Sequence, residues 1–289
     1  MSESIFVLEG EHFIPTEHAR GPWDPQALHG GAPAALMTAA FERVQPGAEL
    51  LIGRLGFELL RPIPFAPLSI STAIVRPGRR VQELAGELRS GEELICRASA
   101  LRVQRIPDDL PRVPAAPSVP PAPGGRAAGE PGAAPDPANA AAASVDGAMP
   151  GPETGTAVRF ALNGSDDASF AASAMEMRWL SDPSPLGPAR VWMRLRHPLV
   201  GQELPTGLAR LAATADFGNG VSAELPFERY LFINADLTIH LQRHPVGEWI
   251  GLDARTLLSG GGAGLSESVL HDVHGPVGRA FQTLVVQAR

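Results

Sequence analysis

The segment from Trp23 to Val44, WDPQALHGGAPAALMTAAFERV, limits what this chain can become. Turn residues Pro22, Asp24 and Pro25 lead to His29-Gly30-Gly31. A run almost without polar side chains follows: Ala34, Ala35, Leu36, Met37, Ala39, Ala40 and Phe41. Pro33 suits the first turn of a helix, where a missing N–H costs nothing. A helix apolar on nearly every side must be wrapped by other elements. A dozen residues rise only about 18 Å, too little to cross a bilayer. The Gly pair leaves backbone N–H groups unshielded at the helix N-terminus, where the dipole favours negative charge. The expectation is a buried central helix whose entrance holds an oxyanion.

A chain of 289 residues is long enough for one large domain or two small ones with their own cores. A net charge of −7 leaves no basic surplus to meet phosphates, which argues against nucleic acid as a partner. The start, MSESIFVLEGEH, is acidic and lacks a signal-peptide pattern, and no apolar run is long enough for a membrane span. A soluble, cytoplasmic protein is expected. The single cysteine, Cys96, excludes internal disulfides and Cys-rich metal sites. It lies in an alternating stretch, LICRASAL, and reads as a packed strand residue.

Around the helix the chain reads as strands. Ser4 to Ile14 suggests an opening strand or two. Leu51 to Leu60, Leu68 to Arg76, Val81 to Ser90 and Glu93 to Gln104 are short, apolar or β-branched, and bounded by turns. In the last, Leu94, Cys96, Ala98 and Ala100 share one face, the period of an antiparallel strand with one buried side. Residues 106–168 differ. The run from Pro107 to Pro152 holds twelve of the 29 prolines, with Ala and Gly between them, and reads as a linker. Beyond it the first pattern recurs. Phe170 to Leu180 and Arg190 to Arg196 read as strands, and Gly207 to Phe217 as a second apolar helix. Tyr230 to Leu241, Trp249 to Leu258, Gly264 to His271 and Gly278 to Gln287 then read as four strands. One unit has been duplicated, as 1–105 and 169–289.

Registering the two helices sets His29 opposite Gly207 and Thr38 opposite Asp216. One helix has the Gly-rich entrance and no acid. The other has an acid and no such entrance. Packed as a pseudo-dimer, they would join the Gly30 and Gly31 N–H groups to the Asp216 carboxylate, an arrangement suited to acyl hydrolysis. The plainer reading of Asp216, an acid at a helix C-terminus, is electrostatically unfavourable. Gln282 falls on the small apolar face of the last strand, where an amide needs a partner. Asn234 lies on a polar face with Asp236, Thr238 and His240, which spacing alone reads as solvated. His29 reads as a residue making a local bond before the helix. His271-Asp272-Val273-His274 and Gly260 to Gly264 read as hairpin loops, and Arg76 to Arg80 as a charged turn.

These residues resemble the TesB-like, medium-chain group of double-hotdog acyl-CoA thioesterases. The likeness lies in FELLRPIP and the following strands of the first half. In the second half it lies in ADFGNG, NADLTIHLQRHPVGEWIGLDART and GRAFQTLVVQAR. It implies an α+β fold, a tandem hotdog with two antiparallel sheets each wrapped around a central helix. It also implies an acyl-CoA substrate and no cofactor. In that family an Asp on the second helix, a Thr or Ser on the next strand and a Gln on the last strand hold the hydrolytic water. Asp216 and Gln282 match, whereas the middle position falls on Asn234. The substrate carbonyl would sit near His29, Gly30 and Gly31, and the depth of the acyl tunnel would depend on Met37, Phe41 and Leu211. A non-catalytic acyl-CoA or acyl-carrier binding protein is the alternative from another class. A hotdog dehydratase is a further one, from His197…Gly201…Pro205 and Asp236…His240. Open sheet edges point to homo-oligomers.

Overall fold

The computed structural model describes residues 4–22, 24–45, 49–106, 149–159, 169–183 and 186–289. Trp23 and the Pro-rich run 107–148, on which sequence readings fell, lie outside the described residues.

A hairpin opens the chain, β1 (Phe6–Glu9) paired with β2 (His12–Pro15). Helix α1 (Gly31–Arg43) follows, rich in the strong helix formers Ala, Leu and Met. It is buried continuously from Gly31 to Ala39 and again at Phe41. Then come β3 (Leu50–Leu59), β4 (Ser69–Arg76), β5 (Val81–Ser90) and β6 (Glu93–Gln104). In β5 strict alternation buries Gln82, Leu84, Gly86 and Leu88, so one face of the sheet meets the helix.

The second half repeats the plan with β7 (Thr156–Ala157), β8 (Met175–Trp179), β9 (Ala189–Leu195), α2 (Gly207–Ala215) and the short α3 (Gly218–Val221). After them come β10 (Tyr230–Asn234), β11 (Asp236–Leu241), β12 (Ile250–Leu258), β13 (Ala263–Asp272) and β14 (Gly275–Ala288). Three details depart from the sequence reading. Phe170–Ala174 is a π-helical turn rather than strand, capped by the Ser169 hydroxyl, which accepts the Ala172 N–H. The stretch from Tyr230 to Leu241 breaks at Ala235, whose N–H donates to Thr283 and whose carbonyl accepts from Leu59. And structure resumes before residue 169: Pro152–Thr154 is a 3-10 turn, and β7 pairs with β8.

The two sheets join edge to edge. β3 pairs antiparallel with β11, with Leu55 opposite Ile239 and Phe57 opposite Leu237. One twelve-stranded sheet results, in the order β4-β5-β6-β3-β11-β14-β13-β12-β9-β8-β7, with β10 also on β14. The two helices lie side by side against the core and run antiparallel. The start of α1 meets the end of α2, where a Cβ on Gly31 would come within 2.5 Å of the Ala213 carbonyl oxygen. The end of α1 meets the start of α2, where the Thr206 hydroxyl donates to the Glu42 carboxylate at 2.6 Å. At this second end Thr38 donates to the Ala34 carbonyl, and the Pro245 carbonyl fills the space beside Gly207.

Two buried charges hold the frame. Arg102 continues the inward face of β6 where an apolar residue would be expected. Its guanidinium donates to the Phe41 and Val44 carbonyls and to the Gln82 side chain, capping the C-terminus of α1. Asp272 is fully buried and takes a two-pronged bond from Arg243, together with the Val246 and His274 N–H groups. Burial acts to raise its pKa, but those donors outweigh it and hold the carboxyl below the usual range. The neighbouring His271 is buried, and burial pushes its pKa down to about 4.

Arg243→Ala should therefore cost about 3 kcal/mol at neutral pH, measured by urea unfolding, because the Asp272 charge loses its counter-ion. The contribution of a depressed carboxyl is present above its unfolded pKa and is lost as pH falls through the folded one. So the gap between variant and wild type should close below about pH 4. His271, neutral in the folded state, should make the wild type lose stability as pH falls from 6.5 towards about 4.

Candidate active site

Asp216 closes α2 as its C-cap residue, with φ −68° and ψ −14°. The dipole of its own helix disfavours a carboxylate there. The neighbouring helix supplies the compensation. α1 runs the other way, so its positive N-terminus lies against Asp216. A Cβ on Gly30 would stand 2.9 Å from Asp216 Oδ2 and 3.1 Å from Oδ1. Only a residue without a side chain lets the two helix ends approach this closely. The Gly30 N–H has no acceptor among the described residues.

Two amides grip the carboxylate from the sheet. Asn234, the last residue of β10, donates from Nδ2 to Asp216 Oδ1 at 2.7 Å. Gln282, on the inward face of β14, donates from Nε2 to the Asp216 backbone carbonyl at 3.1 Å and to Oδ1 at 3.5 Å. Its other end is fixed, since Gln282 Oε1 accepts the Asn219 N–H at 3.0 Å. With that oxygen occupied, the amide nitrogen faces Asp216. Gly218 makes room for this amide, because a Cβ there would be 2.8 Å from Gln282 Oε1. Gln282 is 1% exposed and Asp216 7%. The cluster is nearly dry, so its hydrogen bonds act in a low dielectric.

His29 completes the group. Its Nδ1 lies 3.0 Å from Asp216 Oδ2 and also 3.0 Å from the Gly31 N–H. One ring nitrogen carries either a proton or an in-plane lone pair. Protonated, Nδ1 donates to Asp216 and frees the Gly31 N–H. Unprotonated, it accepts that N–H. The ring is held by Phe217, stacked at 4.3 Å, and by Phe170, tilted at 5.0 Å.

Beside Gly30 and Asp216 a small cavity of about 10 Å³ opens between α1 and the sheet. Its other walls are Pro33, Ala34, Met37, Phe57, Leu59, Ile63, Cys96 and Leu237. The Cys96 thiol is pushed up to about 12 by burial and by Glu58, so it is a neutral wall rather than a nucleophile.

The structure thus brings Asp216, Asn234, Gln282, His29, Gly30 and Gly31 together, from two helices and two strands. Other sequence candidates lie outside this cluster. His197 stacks on His18 at 4.0 Å, and Asp236 accepts the Thr283 N–H at 2.7 Å. Asp272 is engaged by Arg243. No group of three metal-ligating side chains occurs among the described residues. No helix among them is long and apolar enough to cross a membrane. Sequence reasoning missed Phe170 and Phe217 around His29, and the Asn219 N–H behind Gln282. Phe170 was hidden by reading its turn as strand. For the Gln282 surroundings a signal existed, since Ser266 and Ser268 share its buried face at period two.

Two family models match the chain in order. The acyl-CoA thioesterase N-terminal domain matches residues 19–103, and the acyl-CoA thioesterase C-terminal domain matches 152–286. Among solved structures, a candidate thioesterase II from Thermobifida fusca YX superposes with a TM-score of 0.66 at 15% identity, covering 99% of this chain and 96% of that one. A hot dog fold protein of unknown function from Alicyclobacillus acidocaldarius gives 0.63 at 17% identity, over 98% and 95%. The acyl-CoA thioesterase II TesB2 from Mycobacterium marinum gives 0.57 at 16% identity, over 98% and 94%. These likenesses establish the hotdog fold. A search of curated protein sequences finds no match.

The contact at Gly31 yields a direct check. Gly31→Ala should destabilise by about 1–3 kcal/mol despite the better helix propensity of Ala, because the Ala213 carbonyl must move. Gly220→Ala meets nothing within 4 Å and should leave the unfolding midpoint unchanged or raise it. Equal effects at the two positions would contradict the close helix contact.

Proposed function

The chain belongs to the acyl-CoA thioesterase family across both of its halves, and from that premise we propose that it hydrolyses acyl-CoA thioesters to a free acid and coenzyme A. The observation that carries the reading is the Asp216 carboxylate seated on the N-terminus of α1. There a general base and backbone donors face one small space.

The thioester carbonyl carbon sits beside Gly30, with its oxygen on the N-terminal N–H groups of α1. Water held by Asp216, with Asn234 and Gln282, attacks that carbon while a carboxylate oxygen takes its proton. The negative charge that develops on the carbonyl oxygen meets the Gly30 N–H, and the Gly31 N–H whenever His29 Nδ1 carries a proton. Collapse of the tetrahedral intermediate breaks the C–S bond. The thiolate leaves and the proton on Asp216 returns to it. Asn234 and Gln282 orient the carboxylate through their N–H bonds. An amide at position 234 does this as a donor, where the resemblance implies a hydroxyl residue. No metal is required by any step.

Asp216→Asn should lower kcat/KM on the best acyl-CoA by about 10³-fold, the range expected for loss of a positioned base. Affinity for the same thioester, measured by calorimetry, should change little. Gln282→Ala should lower kcat more than it raises KM, since the amide supports the base rather than the substrate. Binding of acyl-CoA without turnover in the wild type would instead establish the non-catalytic binding protein.

A further inference from the structure

We infer that the acyl group this site accepts is short, from acetyl to about butanoyl in size. The inference rests on the thioesterase reading above and concerns the same site. With the carbonyl at Gly30, coenzyme A must extend towards solvent. The acyl group then enters the apolar lining beside Asp216, which includes Pro33, Ala34, Met37, Phe57, Cys96 and Leu237. The free space there is about 10 Å³, near the smallest that admits one water-sized group. A chain of a few carbons fits by small adjustments of this wall. A long one does not.

What closes the deeper path is visible along α1. Met37 stands one turn below Pro33 and Phe41 one turn below Met37, 1% and 0% exposed. Both lean on Gly86 of β5. A Cβ on Gly86 would lie 2.9 Å from Phe41 Cζ and 3.4 Å from Met37 Cε. The missing side chain of Gly86 is therefore already occupied by these two, and the space between helix and sheet is filled to its floor. A longer acyl chain must first expel the Met37 thioether from a close-packed position. Met37, flexible and unbranched, is the residue that sets the limit.

The test is release of free thiol from saturated acyl-CoAs in steps from acetyl to dodecanoyl, on the wild type and on Met37→Ala. The wild type should peak at or below butanoyl, with kcat/KM for octanoyl at least about 100-fold lower. Met37→Ala should raise the octanoyl-to-butanoyl ratio about 10-fold or more. A wild-type optimum at octanoyl or beyond would overturn the size limit and leave the hydrolase intact. An unchanged ratio in Met37→Ala would overturn the role of Met37. Absence of turnover on every thioester would overturn the hydrolase reading. Calorimetry of the same series on Asp216→Asn then reads the pocket separately, and affinity rising steadily to dodecanoyl would overturn the size limit there too.

Discussion

The antiparallel contact between α1 and α2 is the constraint from which the site follows. Dipoles of neighbouring antiparallel helices place opposite charges side by side at each end of the pair. At one end this brings the exposed N–H groups of α1 to a carboxylate that its own helix would repel. Gly30 and Gly31 make the distance short enough to matter. At Gly31 the Ala213 carbonyl is so near that no side chain fits, and at Gly30 the space of a Cβ belongs to the carboxylate itself. A separation larger by one methyl group would leave Asp216 out of reach of the α1 N-terminus.

The sheet then serves as the second clamp. The break at Ala235 ends β10 at Asn234 and lets the next strand cross to the first half through β3. Asn234 thereby stands at the joint between the halves, within reach of Asp216. Gln282 arrives from β14, which pairs with both β10 and β11 and so spans that joint. Its orientation is fixed from behind by an N–H at the start of α3. Gln282 thus has one partner that holds it and one that it holds, which is how an amide in a dry cluster keeps a single orientation.

Much of this was legible beforehand. The hydrophobic run after His29-Gly30-Gly31 could only be a wrapped helix, and α1 is one. Alternation marked β6, because it has one wet and one dry face. Asp216 stood out because an acid at the end of an apolar helix requires a reason, and the reason lies on another helix that no local pattern reveals. Gln282 stood out as an amide on an apolar face. Asn234 did not, because its neighbours Asp236 and Thr238 make the strand look solvated throughout. The break that turns Asn234 inward depends on which strands pair, and pairing is set by contacts distant in sequence. The π-helical turn at Phe170 was likewise unreadable, since FAASA suits strand or helix equally and its ring contact with His29 comes from far off in sequence. Arg102 shows the same limit. It lies inward on β6, and only the end of α1 explains a charge there.

The other end of the helix pair has a consequence for how the halves combine. There Thr38 occupies the place of the acid and is spent on its own helix, and the Pro245 carbonyl fills the place of a ligand beside Gly207. The first half paired with a copy of itself would bring together two glycine entrances and no acid. The second half paired with itself would bring together two acids and no glycine entrance. Each half thus holds the part that the other lacks, and the cluster exists only where the two unlike halves meet.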